Sequence, residues 1–303
     1  MDTISFDSHG TRCAAWYLPA ESEELATAAG RPCVVMGHGF GATRDAGLLP
    51  FAERFAAAGC DVLVFDYRGY GTSEGNPRQD VNHRRHRQDY HAAVAKARST
   101  AGVDPSRIVV WGSSYSGGHV VAVAAHDPSV AAVISQGAAM DGLAALRGVE
   151  KASGSGKVLA MTAAGLRDLG RQLTRRAPLL VPVIGEPGSN ATITAAGGVE
   201  GYRAIMGPTF RNEMCARGLL RIALNRPVTL AAKLRCPILL VVAERDNIAP
   251  VAAVHEVARR AGALAQVESF ECGHFDIYVG AVLEKSVSAQ VEFLRRHLSA
   301  RAA

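Results

Sequence analysis

Ile108-Val109-Val110-Trp111 running straight into Gly112-Ser113-Ser114-Tyr115-Ser116-Gly117-Gly118 is the stretch that decides the fold. An apolar strand followed at once by a helix-forming segment leaves only a few residues to reverse direction. The serine in that turn must take a strained backbone angle, and its neighbours two positions away must be small. Gly112 and Ser116 meet the requirement. The usual pattern has glycine where Ser116 stands, so serine there is a conservative departure. Gly117 and Gly118 let the following helix pack close to the sheet. The stretch therefore reads as a nucleophile elbow rather than a Ser/Gly-rich loop, with Ser114 as the candidate nucleophile.

A serine hydroxyl is a poor nucleophile at neutral pH. It needs an imidazole to take its proton and a carboxylate to hold that imidazole in the right tautomer. After an elbow of this kind those partners follow in the order acid, then histidine. Cys236 to Ala243 is a continuous apolar run of the buried-strand type, and Glu244-Arg245-Asp246-Asn247-Ile248-Ala249-Pro250 follows it as a turn. Asp246 is the acid candidate. On its own it reads equally as a turn-former or helix N-cap ahead of Val251 to Ala261. Gln266 to Phe270 alternates like a strand, and Glu271-Cys272-Gly273-His274-Phe275 makes its loop, with His274 as the base candidate. Glu244, two residues earlier in its turn, and Asp141, which follows the strand Val130 to Ser135, remain alternative acids.

A developing oxyanion needs backbone N–H donors, one after the nucleophile and one from the loop after an earlier strand. Pro32 to Met36 is that strand and Gly37-His38-Gly39-Phe40-Gly41 its loop, so the expected donors are the amides of Phe40 and Tyr115. His38, in a His-Gly loop, reads as a residue that shapes the turn.

The 303 residues, 48% hydrophobic and 20% charged, suit a globular chain with one large core or a core plus a cap. Six scattered cysteines, several inside apolar strands, show no metal-binding spacing and read as small buried hydrophobes, so no metal is expected. The net charge of +5 is concentrated in Val81 to Arg87 and at Arg175-Arg176. Without interleaved aromatics or a nucleic-acid-binding module this predicts no nucleic-acid partner, and the basic run reads as the exposed start of a helix. No signal peptide and no bilayer-length apolar run are apparent, so a cytoplasmic protein without a membrane partner is expected.

Strands and helices alternate from Pro32 to Ser135 and again from Cys236 to the helix Glu284 to Leu298, which predicts a parallel sheet covered on both faces. Ile4 to Phe6 and Cys13 to Leu18 read as an opening antiparallel pair. Between Ala138 and about Ala232 glycines and prolines interrupt short helical pieces. This divides the chain into an α/β core, residues 1–137 and 232–303, and an inserted cap, residues 138–231. In that cap Met140, Met206 and Phe210 are the candidate substrate-binding residues, with Met161, Tyr202 and Met214 also considered for an apolar pocket.

His38-Gly39-Phe40, Asp66-Tyr67-Arg68-Gly69-Tyr70-Gly71-Thr72-Ser73, the elbow, the Asp246 turn and Gly273-His274-Phe275-Asp276 together resemble the α/β-hydrolase superfamily, covering both halves of the core. Within it the chain is similar to bacterial hydrolases grouped with the Xaa-Pro dipeptidyl-peptidase-like, dienelactone-hydrolase-like and polyketide-transferase-like proteins. The resemblance implies an eight-stranded, mostly parallel sheet, a Ser-Asp-His triad and no cofactor. The expected activity is cleavage of a carboxylic ester or thioester through an acyl-enzyme on Ser114, with a small-molecule acyl substrate as partner. Acyl transfer or polyketide tailoring on the same triad is the alternative, peptidase activity ranks below both, and a homodimer stays open. One scaffold hosts all these reactions, so fold alone does not choose among them.

Overall fold

The computed structural model describes residues 1–299. In chain order the elements are β1 (Asp2–Ser8), β2 (Thr11–Leu18), β3 (Arg31–Gly37), α1 (Leu49–Ala57), β4 (Asp61–Phe65), α2 (His83–Arg98), β5 (Val103–Ser113), α3 (Tyr115–His126) and β6 (Val130–Gln136). Then come α4 (Gly142–Leu173), β7 (Leu180–Val181), α5 (Gly198–Ile205), β8 (Met214–Cys215) and α6 (Leu219–Ile222). The chain continues through β9 (Ile238–Ala243), α7 (Val251–Ala261), β10 (Ala265–Phe270) and α8 (Gly280–Leu298). Eight strands form one open sheet in the order β1-β2-β4-β3-β5-β6-β9-β10. Only β2 runs against its neighbours; the other pairings are parallel.

Strand periodicity explains how one sheet carries two cores. Cys33 and Val35 of β3 and their register partners Ile108 and Val110 of β5 join Tyr90, Val94 and Val121 from α2 and α3 on one face. Alternate positions, Val34, Met36, Val109 and Trp111, meet Phe51, Phe55 and Leu294 from α1 and α8 on the other. Period-two side-chain alternation makes this division automatic once both faces are covered.

Two expectations need correcting. The basic run does open a helix, with Asn82 Oδ1 accepting from the amides of Arg84 and Arg85, but it is not an exposed start. His83, His86, Tyr90, Ala93, Val94 and Ala97 are buried, because their three-to-four spacing turns one face of α2 onto the sheet and α3 while Arg84 points outward. The segment between β6 and β9 is not made of short helical pieces throughout, since α4 extends over 32 residues with one break at Gly154, φ 81°. Gly148, Gly156 and Gly170 stay helical on an open flank of α4, where glycine lowers helix propensity without forcing a stop. Leu159, Leu166 and Leu173 are exposed along it. Among the described residues no helix is long and apolar enough to cross a membrane.

The strand order reverses direction at β3 and β5, and these two pair directly, with Gly37 opposite Gly112. Loops leaving two adjacent strands on opposite sides of a switch point open a crevice at the carboxyl edge of the sheet. The loop after β3 therefore comes to lie beside the turn after β5.

Candidate active site

Ser114 stands between β5 and α3, as the N-cap of α3, with φ 57° and ψ −119°, a conformation that L-residues adopt only when the surroundings impose it. Those surroundings are visible. The Ser114 amide donates to Gln136 O at 2.8 Å, and its carbonyl accepts from Gly117 at 3.0 Å and Ala139 at 2.9 Å. A side chain at Gly112 would lie 2.3 Å from the Ser116 carbonyl oxygen, so only glycine fits there. Ser116 is more than a tolerated departure: its hydroxyl lies 2.9 Å from both Tyr67 Oη and Tyr90 Oη, and Tyr90 donates to Trp111 O at 2.5 Å. The turn is thereby tied to the buried aromatic layer beneath it.

Asp246 sits three residues beyond β9 and His274 four beyond β10, strands that pair in register up to Ala243 and Phe270. His274 Nδ1 donates to Asp246 Oδ2 at 2.6 Å, and Ser114 Oγ is 3.1 Å from His274 Nε2. Since a carboxylate only accepts, the imidazole proton belongs on Nδ1 and Nε2 is left free to accept from the serine. The other carboxylate oxygen of Asp246 accepts from the amides of Ile248 and Ala249, both at 2.8 Å. The turn-forming and histidine-facing readings of Asp246 thus hold together, one oxygen each. The histidine and aspartate side chains are 5% and 3% exposed, so bulk water does not compete for their contact.

The alternative acids are engaged elsewhere. Asp141 caps α4 through the amides of Leu143 and Ala144 and pairs with Arg226 at 2.9 Å. Glu244 accepts from Ser269 Oγ at 2.5 Å and faces His255. His38 is buried with Nδ1 3.1 Å from Gly39 O, and burial pushes its imidazole below the usual range. Burial likewise raises the Cys272 thiol to about 11, which keeps it protonated two residues from His274.

Phe40 and Tyr115 both border the space above Ser114, and neither amide is bonded to a described backbone carbonyl. Gly39 lies so close that a Cβ there would be 3.1 Å from Ser114 Cβ. The Tyr202 hydroxyl donates to Phe40 O, and Asp66 accepts from the Arg44 amide and guanidinium at 2.8 and 2.7 Å, fixing the loop from both sides.

Two cavities meet at Ser114. The larger, about 730 Å³ counted out to its open mouth, is bounded by Phe40, Tyr115, Leu146, Val149, Met161 and Ile193, with Ile222 and Asn225 also on its wall. The other runs along His274, Phe275, Tyr202 and Tyr278. Of the substrate-contact candidates, Met140, Met206 and Phe210 line neither. Met140 is fully enclosed in the core, Met206 is 44% exposed, and Phe210 packs on Tyr202 with ring centres 5.3 Å apart. Met161 and Tyr202 do reach the cavities. Leu146 and Val149 were missed by sequence reasoning, although Gly142, Ala145, Leu146 and Val149 stand at i, i+3, i+4 and i+7, the spacing of one helix face. Asn225, in a loop, carries no such local signal. Among the described residues no cluster of three or more His, Cys, Asp or Glu side chains is arranged to hold a metal ion.

An open, mostly parallel sheet whose carboxyl edge gathers a strained serine, a histidine and an aspartate from three different strand ends defines the α/β-hydrolase class of enzyme. The family profile described as alpha/beta hydrolase fold matches residues 32–155. The quorum-quenching protein AidA of Acinetobacter baumannii is 37% identical over 295 residues, spanning 97% of this chain and 94% of that protein. The chain belongs to the alpha/beta hydrolase family. The thiohydrolase aneE of Aspergillus aculeatus is 30% identical over 292 residues, spanning 89% and 87%. In fold the chain is similar to the alpha/beta hydrolase GrgF from a Penicillium species, with a TM-score of 0.80 at 22% identity over 98% of both chains.

Proposed function

We propose that this chain is a serine hydrolase that cleaves a carboxylic ester or thioester of a small molecule through an acyl-enzyme on Ser114. The observation that carries the reading is the continuous relay from Asp246 Oδ2 through the His274 ring to Ser114 Oγ, at 2.6 and 3.1 Å, on a serine held at positive φ. His274 takes the hydroxyl proton as Oγ attacks the acyl carbon, and Asp246 stabilises the imidazolium that forms. The tetrahedral oxyanion is received by the Phe40 and Tyr115 amides, each donor worth several kcal/mol when lost, about 3 by order of magnitude. The imidazolium then protonates the leaving alcohol or thiol, and water, activated by the same ring, releases the acid.

The two cavities suggest how a substrate divides. The leaving group must lie where His274 can protonate it, so the cleft along His274 and Phe275 suits the leaving group. The apolar cavity under Leu146 and Val149 suits the acyl chain. The name of one relative, a thiohydrolase, agrees with a thioester as the bond attacked.

Ser114→Ala is expected to lower turnover of p-nitrophenyl esters by at least about a thousandfold and to abolish labelling by a fluorophosphonate probe, with an unchanged circular dichroism spectrum. Unchanged turnover would remove the assignment. Adding alcohols or amines as competing acceptors separates hydrolysis from acyl transfer through the products formed.

A further inference from the structure

With Ser114 set aside, and Tyr115, whose hydroxyl is sealed off from the cavity, the wall of the larger cavity is apolar apart from two side chains, Thr192 and Asn225. The two differ. Thr192 Oγ1 is already spent, lying 3.2 Å from Pro182 O and 3.3 Å from Met214 Sδ. Asn225, only 1% exposed, accepts from Arg87 Nη2 through Oδ1 at 2.5 Å. A guanidinium has donors and no acceptors, so the amide oxygen must be the atom that faces it and the NH₂ must turn the other way. That nitrogen is bonded to none of the described residues, nor is it sealed among them.

The residue is also rigidly held. Its backbone N–H donates to Ile222 O at 3.0 Å and its carbonyl accepts from the Gly142 amide at 2.8 Å, where α4 begins. Behind it Arg87 has no carboxylate within ion-pair range among the described residues, so its charge acts undiluted on Oδ1 and polarises the amide into a stronger donor. The Tyr115 hydroxyl lies close to this amide, outside hydrogen-bonding geometry and without another partner. Tyr115 follows Ser114 directly, so this polar spot is one tyrosine side chain away from the reacting serine.

A preoriented, unpaired donor on an otherwise apolar wall penalises a plain hydrocarbon chain, which would bury it unsatisfied, and rewards a chain with an oxygen at that point. We propose that the cavity selects acyl chains carrying an in-chain hydrogen-bond acceptor, a keto or hydroxyl oxygen, which Asn225 Nδ2 binds. The proposal deepens the reading of Ser114 as the acyl-bearing nucleophile and rests on it for its catalytic consequence.

The test compares acyl thioesters of equal length, plain or bearing a keto group at successive positions. Wild-type kcat/KM is expected to favour the keto chain by about tenfold to a hundredfold at the position that meets Asn225. Asn225→Leu should bring that ratio to about one while turnover of the plain chain persists. Asn225→Asp retains the acceptor for Arg87 but replaces the NH₂ with a second acceptor oxygen, and should push the ratio below one. In parallel, calorimetry measures binding of the matching non-hydrolysable keto and plain acyl amides to Ser114→Ala. A wild-type ratio near one at every position, or one that both Asn225 variants leave intact, overturns the proposal. If no thioester is turned over but the keto amide still binds at least tenfold tighter and Asn225→Asp erases the difference, the selectivity stands and the reading of Ser114 falls.

Discussion

The sheet and the segment inserted between β6 and β9 are held together in different ways. Every residue of β4 and β9 is buried, whereas α4, the longest helix of the insert, buries only Met161, Gly165 and Asp168. The insert depends instead on a few polar anchors: Asp168 with Arg217, Asn212 with both backbone groups of Ile184, Thr209 with Asp45, and Tyr202 with the Phe40 carbonyl. A dense apolar core fixes atoms to within fractions of an ångström, which a proton relay needs. A wall with few buried side chains can change its lining without disturbing that relay. Reactivity therefore belongs to the sheet edge and selection to the insert, and mutations in the two regions should fail differently.

The largest effect is expected from Asp246→Asn. The asparagine oxygen can still receive the Ile248 and Ala249 amides, so the turn persists, but the NH₂ then faces His274 Nδ1 and forces the ring proton onto Nε2. That tautomer cannot accept from Ser114, and kcat should fall by about 10³ to 10⁴. The fall should be the same for short and long acyl esters. A loss that shrinks as the acyl chain lengthens would mean that chemistry and selection are not carried by separate regions.

Asp168→Ala probes the other side of the comparison. It leaves the Arg217 guanidinium enclosed without its carboxylate and removes the acceptor of the Leu179 and Arg217 amides. The pair is buried, so the expected loss is about 3 kcal/mol, the low end for a buried ion pair. It should appear as faster proteolysis and hydrogen exchange across 142–234, with β3, β5 and β9 still protected. Equal loss of protection in both regions would show that the insert and the sheet unfold as one unit.

The same contrast governs what the sequence discloses. In the sheet, runs such as Ile108 to Trp111 and Ile238 to Ala243 have one stable destination, and the order Ser114, Asp246, His274 could be read because the first two follow such runs and the third follows an alternating strand. The antiparallel pair at the start and the helix Val251–Ala261 were legible for the same reason. The insert has no comparable signal. Its glycines suggest breaks that the helix tolerates where its flank is open, and its methionines look like pocket lining although Met140 belongs to the core and Met206 to the surface. The charge run at Val81 to Arg87 misled because composition overrode spacing: His83, His86 and Tyr90 share a face of α2, and of the intervening arginines only Arg84 is exposed. Asn225 acquires its meaning only from Arg87, 138 positions away in the sequence.

That histidine face gives the smallest of the expected effects and the one most specific to the sheet. The His86 ring stacks on Tyr67 at 4.2 Å and 10°, with His119 5.5 Å away, and none of the four ring nitrogens of these two histidines has a hydrogen-bond partner among the described residues. Burial pushes both imidazoles well below their usual range, with neighbouring His and Arg side chains adding to the shift, and takes His83 down to about 4. The unfolded chain takes up these protons below about pH 6.5 while the folded chain does not. Stability is then complete above that pH and declines as pH falls, by up to about 1.4 kcal/mol per pH unit for each histidine. His86→Phe keeps the stack on Tyr67 and has nothing to protonate. Urea unfolding of this variant at pH 7 and pH 5 should show the decline reduced by one histidine's share, while the proteolytic opening of 142–234 keeps its own pH dependence. An undiminished decline would mean that the fold does not hold His86 neutral, and the acid sensitivity would then rest on His119, His83 and the carboxylates.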